Sequence, residues 1–390
     1  MAEGAEGWLS QCDLGRRLKA RDPMKALQWG FCRMLAETPA RKELQRMIKQ
    51  SIGCDAHKAF SVFASIGENG EYGKPIRVGH EREIFRKFLE MLEPESHIAL
   101  ETSGCYYWIV DEIARAGHHA HLAHATTAKR RMEGRHKTND RDAGGLAMLL
   151  HNGTLPEVWI PPAELRDQRE MLRWRMWLSH TRNRLKNRMH ALVQRYNVRV
   201  EASDLFGDGG RAELLSRQEE VPPHSRESLI DQLQALDWLE TRIKESEKQL
   251  KTILYPSVER SLLDSLPCVG PILSAVMALE IGDVKRFPGP QHLASYAGLV
   301  PRARESADWK RQERCPRDCN VYLKWAYVEA GNLVCVHRRS WPGKHVVRLY
   351  DKVKKKSKMH GKAAMAVARH LAEASYWVLT RQTEDREPKR

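Results

Sequence analysis

"SIGCDAHKAFSVFASIG" occupies residues 51–67, and a single carboxylate, Asp55, stands inside it. Small, β-branched and apolar residues dominate the stretch, which predicts strand rather than helix. An acid in such a run is costly to bury unless something cationic satisfies it. "ENGEYG" (68–73) follows, and its Asn69-Gly70 step is a hairpin turn signal. "KPIRVG" (74–79) predicts a second or third strand. "EREIFRKFLEML" (81–92) has helical spacing at Ile84, Phe85, Phe88, Leu89 and Leu92. "SHIALETSG" (96–104) predicts a short buried strand ending at Glu101. "YYWIVDEIARAG" (106–117) predicts a helix closed by Gly117, "HHAHLAHA" (118–125) a strand, and 139–150 a helix. Strands first, then strands alternating with helices, predict a mixed sheet with flanking helices over residues 49–160.

The bulk numbers set the frame. A chain of 390 residues with 42% hydrophobic content has room for two or three domains with real cores, and is not disordered. Lys and Arg number 65 against 50 Asp and Glu, a net charge of +15. That balance points to a polyanion, either nucleic acid or an anionic membrane surface. No run approaches the ~18 apolar residues of a membrane span. "MAEGAEGWLSQCDLG" lacks the basic-then-apolar pattern of a secretory signal, so a cytoplasmic protein is expected. Eight cysteines are too sparse for a disulfide scaffold. Cys315, Cys319, Cys335 and His337 are the one set from which a zinc site could be drawn, but their spacing is irregular, and reduced structural thiols are the better reading.

Beyond the sheet region the chain reads as helical. Residues 1–48 form an N-terminal extension with two helix-like patterns. Residues 161–258 read as two antiparallel, coiled-coil-like helices joined by a Gly- and Pro-rich connector. The first of them, 166–199, carries ten Arg or Lys against two acids, and adds Trp174 and Trp177. Arg173, Arg182, Arg184, Lys186 and Arg188 are candidate phosphate contacts there. The alternative is a solvated basic face. Residues 259–390 make a third, helical region. Its Gly270-Pro271 step either opens half of a helix-hairpin-helix, whose amides hold phosphate, or is an ordinary helix start. Helices at 318–336 and 361–380 flank a basic run, "KVKKKSK" (352–358), with Lys354, Lys355 and Lys356. The fold class expected is α/β plus all-α.

Three carboxylates from separate elements, Asp55, Glu101 and Asp142, suggest a divalent metal. Mg²⁺ or Mn²⁺ prefers hard oxygen ligands, and such ions stabilise phosphoryl transfer. Asp142 belongs to "KTNDRDA", 137–143. At 3.6 residues per turn, positions 139 and 142 lie roughly 60° apart and positions 140 and 142 roughly 160°. Asn139 therefore shares a face with Asp142 and can offer a carbonyl oxygen, while Asp140 is a cap, a solvent-facing acid or the alternative ligand.

These stretches resemble a known family, the transposases of the insertion-sequence 110 family, including its 1111 branch. "SIGCDAHK", "ALETSG" and "KTNDRDA" are similar to its three acidic motifs, and "LPCVGPILSAVMALEIGDVKRF", "LASYAGLVPRARES" and "NVYLKWAYVEAG" to its C-terminal domain. The resemblance implies a RuvC-like, RNase H-type domain with a DEDD acid set, then a coiled coil, then a helical domain carrying a catalytic serine. It places Asp55, Glu101, Asn139 and Asp142 at the acid positions and Ser306 at the serine, near Arg302, Arg304, Lys310 and Arg311. It also implies a guide (bridge) RNA, donor and target DNA, and a prokaryotic, nucleoid-associated homodimer or homotetramer. The serine would meet the acids either within one chain or across subunits, and the resemblance favours the second. Three departures stand out: Asn139 for an acid, Ala307 for glycine after the serine, and "RCPRDCN" (314–320) for the usual Gly-Asn. Two rivals remain, a RuvC-like nuclease or resolvase that hydrolyses with water, and a decayed transposase that only binds nucleic acid.

Overall fold

The opening stretch, read as strand, forms two strands. β1 (Gln50–Ala56) and β2 (Phe60–Gly67) pair antiparallel, and the chain reverses between them where the His57 amide donates to Phe60 O at 2.9 Å. A computed structural model describes residues 50–132, 139–254, 257–301, 303–306, 309–312, 315–316 and 318–386. The expected N-terminal extension lies outside them, as do the side chains of Asn139 and Asp140. β3 (Ile76–Gly79) adds antiparallel to β2, after a turn with Gly70 at φ +76°. β4 (His97–Glu101) lies parallel to β1, β5 (His119–Ala123) parallel to β4, and β6 (Glu157–Val158) antiparallel to β5. The sheet order is β3-β2-β1-β4-β5-β6.

Four helices accompany this sheet: α1 (Arg82–Glu90), α2 (Tyr106–Arg115), α3 (Ala125–Arg131) and α4 (Asn139–His151). Successive strand residues point to opposite faces. Ile52, Cys54, Ile98, Leu100 and Leu122 share one core with Phe85, Phe88 and Leu89 of α1 and Ile109 and Ile113 of α2. On the other face Ala99 and Ala123 pack with Leu146, Leu149 and Leu150 of α4. Helices on both faces are what parallel strands require, since both of their faces are apolar. The face under α1 and α2 is also pinned electrostatically. The Glu112 side chain, 2% exposed, accepts from Arg86 Nε at 2.7 Å and pairs with Arg82 and Arg115. Hydrogen bonding from Arg86, followed by Arg115, holds the Glu112 carboxyl down at about 2.

At the starts of β4 and β5 the histidines satisfy one another. His97 Nδ1 and His121 Nε2 lie 2.8 Å apart, and His121 Nδ1 meets Glu157. Burial, with two histidine neighbours adding to it, lowers His97 to about 4, so its ring is neutral at physiological pH.

The chain divides into two compact units. One unit holds the sheet, up to Ala163, with Leu266–Cys268 and Glu280–Arg390. The other holds Glu164–Ser265 and Val269–Leu279. The second unit is built on α5 (Ala163–Arg195) and α7 (Pro223–Leu254), with α6 (Asp208–Ser216) between them and α8 (Val258–Asp264) after them. The long pair is antiparallel: Arg175 meets Glu247, Lys186 meets Glu240, and Met189 shares a core with Leu229, Leu233 and Leu236. Partners descend along α7 as they rise along α5.

Next come α9 (Pro271–Ile281), closed by Gly282 at φ +62°, and α10 (Pro290–Tyr296). A hairpin of β7 (Ala303–Ser306) and β8 (Trp309–Gln312) follows, then α11 (Val321–His337), α12 (His345–Ser357) and α13 (His360–Arg381). The basic run expected between helices is instead mostly the last turns of α12, where lysines oppose the negative end of the helix dipole. No helix among the described residues is long and apolar enough to cross a membrane.

Candidate active site

The parallel register runs from Ser51 opposite His97 to Cys54 opposite Leu100. One step further, Asp55 and Glu101 stand side by side at the carboxyl ends of adjacent strands. Neighbouring strands lie about 4.8 Å apart, so the two acids share one edge of the sheet. His57 lies beside Asp55, its Nε2 3.1 Å from Asp55 Oδ2 but without a hydrogen bond between them.

The third acid comes from above. A β-carbon on Gly53 would fall 1.9 Å from Ala143 O and 2.6 Å from Ala147 N. Glycine therefore lets the α4 backbone sit directly on β1. Gly53 and Asp55 share a strand face, as do Ala99 and Glu101. Asp142, one position before Ala143, thus opens the helix that covers the face bearing both other acids. Each of the three carboxylates is only partly exposed. Among the described residues, no three His, Cys, Asp or Glu side chains form a ready-made metal cage. The donor chemistry fits Mg²⁺ all the same, since that ion takes one or two carboxylates and completes its shell with water and substrate phosphate.

Ser306 ends β7, opposite Trp309. The stretch is a two-stranded hairpin; Arg302 and the side chains of Arg304, Ser306, Lys310 and Arg311 lie outside the described residues. The register sets Arg304 opposite Arg311 and Glu305 opposite Lys310.

The feet of the hairpin are well defined. Gly298 has φ +67°, and a β-carbon there would fall 2.5 Å from Cys319 Sγ. The Leu299 amide donates to Ala294 O, and the Asn320 amide to Tyr296 O. Asn320 caps α11 by accepting from the Leu323 amide at 2.9 Å. Its Nδ2 donates to Glu280 Oε2 at 2.7 Å and to Tyr296 Oη at 3.2 Å. Glu280 is fully buried at the end of α9. The Arg286 guanidinium, stacked 4.3 Å from the Trp159 ring and 4.6 Å from Tyr296, closes this side of the network. Asp318, two residues before Asn320, also acts on His124, the residue after β5: burial lowers that histidine, and Asp318 opposes the shift. β5 is the strand that pairs with β4, with Ala123 opposite Glu101.

Sequence reasoning did not single out Gly53, His57, Glu280 or Asn320. A lone glycine inside a strand pattern is a signal for close backbone approach; the other three carry no comparable local signal. Of the candidate phosphate contacts, Arg184 and Arg188 are exposed, Arg173 is buried, Arg182 donates to Asn183, and Lys186 is paired with Glu240. Lys355 and Lys356 are exposed, and Lys354 is partly so. Cys319 packs at the hairpin foot and Cys335 donates to Tyr350 Oη at 3.0 Å, so the cysteines once considered for zinc have separate structural surroundings.

The chain is similar to known proteins over both of these regions. Residues 260–347 match the model of the "Transposase IS116/IS110/IS902 family", and residues 52–198 match a transposase model of the DEDD type named for IS110. A "probable family 20 transposase" of Pseudomonas aeruginosa is 22% identical over 294 residues, 75% of this chain and 82% of that protein. The "transposase for insertion sequence element IS1328" of Yersinia enterocolitica is 22% identical over 304 residues, 74% and 85% of the two chains. An uncharacterized 43.6 kDa protein of insertion element IS110 from Streptomyces coelicolor is 32% identical over 123 residues, 32% of this chain and 29% of that one. A strand-end acid pair under a covering helix, followed in the chain by a separately anchored serine hairpin, is matched over both parts by transposase models: the chain belongs to the IS116/IS110/IS902 family of transposases.

Proposed function

We propose that this transposase cuts and rejoins DNA strands with Ser306 as nucleophile and with a divalent cation, Mg²⁺ or Mn²⁺, at the acid set. The observation that carries the reading is the register that brings Asp55 beside Glu101 under the helix bearing Asp142. Those three carboxylates and Asn139 (or, in its place, Asp140) are the residues that would hold the metal. When bound, the ion supplies positive charge against the developing charge of the phosphoryl group. A serine hydroxyl is a poor nucleophile at neutral pH and needs activation. Attack by its oxygen on the scissile phosphorus forms one P–O bond as another breaks, and the departing strand end leaves as a hydroxyl. The phosphoserine link keeps the phosphodiester energy, so rejoining needs no ATP.

Arg302, Arg304, Lys310 and Arg311 would position the backbone around the serine. Arg182, Arg184, Arg188, Lys354, Lys355 and Lys356 would also hold nucleic acid, whereas Arg173 is buried and Lys186 is paired with Glu240. Phosphate contacts position but carry no sequence. Choice of donor and target DNA then falls to base pairing with a structured guide RNA. The influence of Asp318 on His124 supports a hairpin foot near the sheet edge that carries the acids. A homodimer or homotetramer, with serine and acids from different subunits, fits the same chemistry, as does a cytoplasmic, nucleoid-associated setting.

A suicide DNA substrate tests this. Wild type traps a protein–DNA adduct that survives denaturation. Ser306→Ala keeps its fold and its DNA binding but forms no adduct and exchanges no strands. Asp142→Ala, or wild type in EDTA, loses cleavage altogether. Cleavage by Ser306→Ala near the wild-type rate would make water the nucleophile, and the chain a RuvC-like nuclease. An inactive wild type that still binds DNA would mark a decayed enzyme.

A further inference from the structure

Exposed side chains recur along α5 at three-, four- and seven-residue steps: Trp174, Trp177, Arg184, Arg188 and Arg195. That spacing aligns them in one stripe, about 30 Å long at 1.5 Å per residue. Trp174 and Trp177 stack on each other, with centroids 5.0 Å apart and planes 10° from parallel. Each still exposes a large share of its surface, 41% and 49%. Among the described residues, Arg184, Arg188 and Arg195 have no acid partner, whereas Arg175 and Lys186 on the inner side of α5 pair with Glu247 and Glu240 of α7. The inner cations therefore hold the helix pair together, and the outer ones are free of that duty. The stripe is acidic only at its start, at Asp167 and Glu170.

We propose that this stripe binds an unpaired DNA strand, with bases extending the tryptophan stack and phosphates lying along the arginines. The proposal rests on the reading of the chain as a strand-exchange enzyme, because exchange must unpair bases where strands cross. Every base has a flat face, so stacking on aromatic rings tolerates any sequence. A duplex hides those faces and gives the two rings nothing to stack on. A second copy of the chain paired in parallel is the poorer occupant, since that pairing would set arginine against arginine.

The test uses the full chain, fluorescence anisotropy and three labelled probes: an oligothymidine, a duplex of equal length and an oligouridine. Trp174→Ala with Trp177→Ala should weaken oligothymidine binding by about tenfold or more and leave duplex binding unchanged. Trp174→Phe with Trp177→Phe should restore most of the loss. Trp238→Ala, an exposed tryptophan on α7, should change nothing. Arg184→Ala with Arg188→Ala should flatten the salt dependence for oligothymidine by about 0.7 per lost contact. Undiminished oligothymidine binding by the double alanine variant overturns the proposal. So does a drop in oligomeric mass by light scattering with binding intact, which makes the stripe a self-association face. Dependence of oligouridine alone on the tryptophans gives the surface to RNA and overturns it too. If wild type binds neither oligothymidine nor duplex, the parent reading fails; if it binds duplex normally and only the tryptophan effect is missing, the inference alone fails.

Discussion

The sheet edge and the serine hairpin hold their proposed catalytic groups in different ways. Asp55 and Glu101 take their positions from hydrogen-bonded register, with a buried core on one face and α4 on the other. Ser306 stands on two four-residue strands that, among the described residues, pair only with each other. A lone two-stranded hairpin is marginal in water. Its placement rests on its feet: Gly298 against Cys319, and Asn320 tied to Glu280 and Tyr296. Damage to the first region should cost stability and activity together. Damage to the second should cost activity out of proportion to stability.

The strongest way to break this comparison is Gly53→Ala. The new methyl group would meet Ala143 O, which belongs to backbone and cannot rotate away. Strand and helix must then part, at about 3 kcal/mol or more. Thermal unfolding should show a large fall in Tm, with strand exchange lost alongside. A wild-type Tm would mean that α4 does not sit on β1 there, and would remove the argument that brings Asp142 to the acid edge.

Asn320→Ala sharpens the other side. It deletes the α11 cap and takes the Nδ2 donor from buried Glu280, which together cost about 2 kcal/mol. Strand exchange should fall by much more than this stability loss accounts for, while DNA binding holds. Full activity at reduced stability would show that the hairpin is positioned by something other than its foot.

Glu112→Gln is the smallest change and serves as the control, since it lies in the sheet domain but touches neither group. The arginines around Glu112 are largely solvated, so the neutral-pH cost is about 1 kcal/mol. The carboxyl titrates at about 2 when folded and near 4.5 otherwise. A depressed folded value means stability that is fully present above 4.5 and lost as pH falls from there toward 2. Chemical unfolding across that window should show a decline in wild type that is shallower in the glutamine variant. Equal declines would show that Glu112 carries no such linkage.

Much of this was legible in the chain. The two acid-bearing strands, the helix from Asn139 and the long pair at 163–195 and 223–254 follow from local periodicity, which those segments obey. The break between β1 and β2 was not legible, because His57-Lys58-Ala59 contains no glycine, proline, asparagine or aspartate to mark a turn. The hairpin under Ser306 was hidden by its charges: Arg304, Glu305, Lys310 and Arg311 carry no apolar alternation. The Asn320–Glu280 anchor spans 40 residues of sequence, and no local pattern reports a contact that distant.

The hairpin also acts as a lever arm. Four residues of β7 reach about 13 Å at 3.3 Å per residue, with Ser306 at the far end. A tilt of about 5° at the base carries the far end through roughly 1 Å, a displacement that can cost about a hundredfold in rate when reacting atoms must align. On the proposed mechanism the angular tolerance of this serine would be set some strand lengths away from it, in the amide of Asn320 and the carboxylate of Glu280.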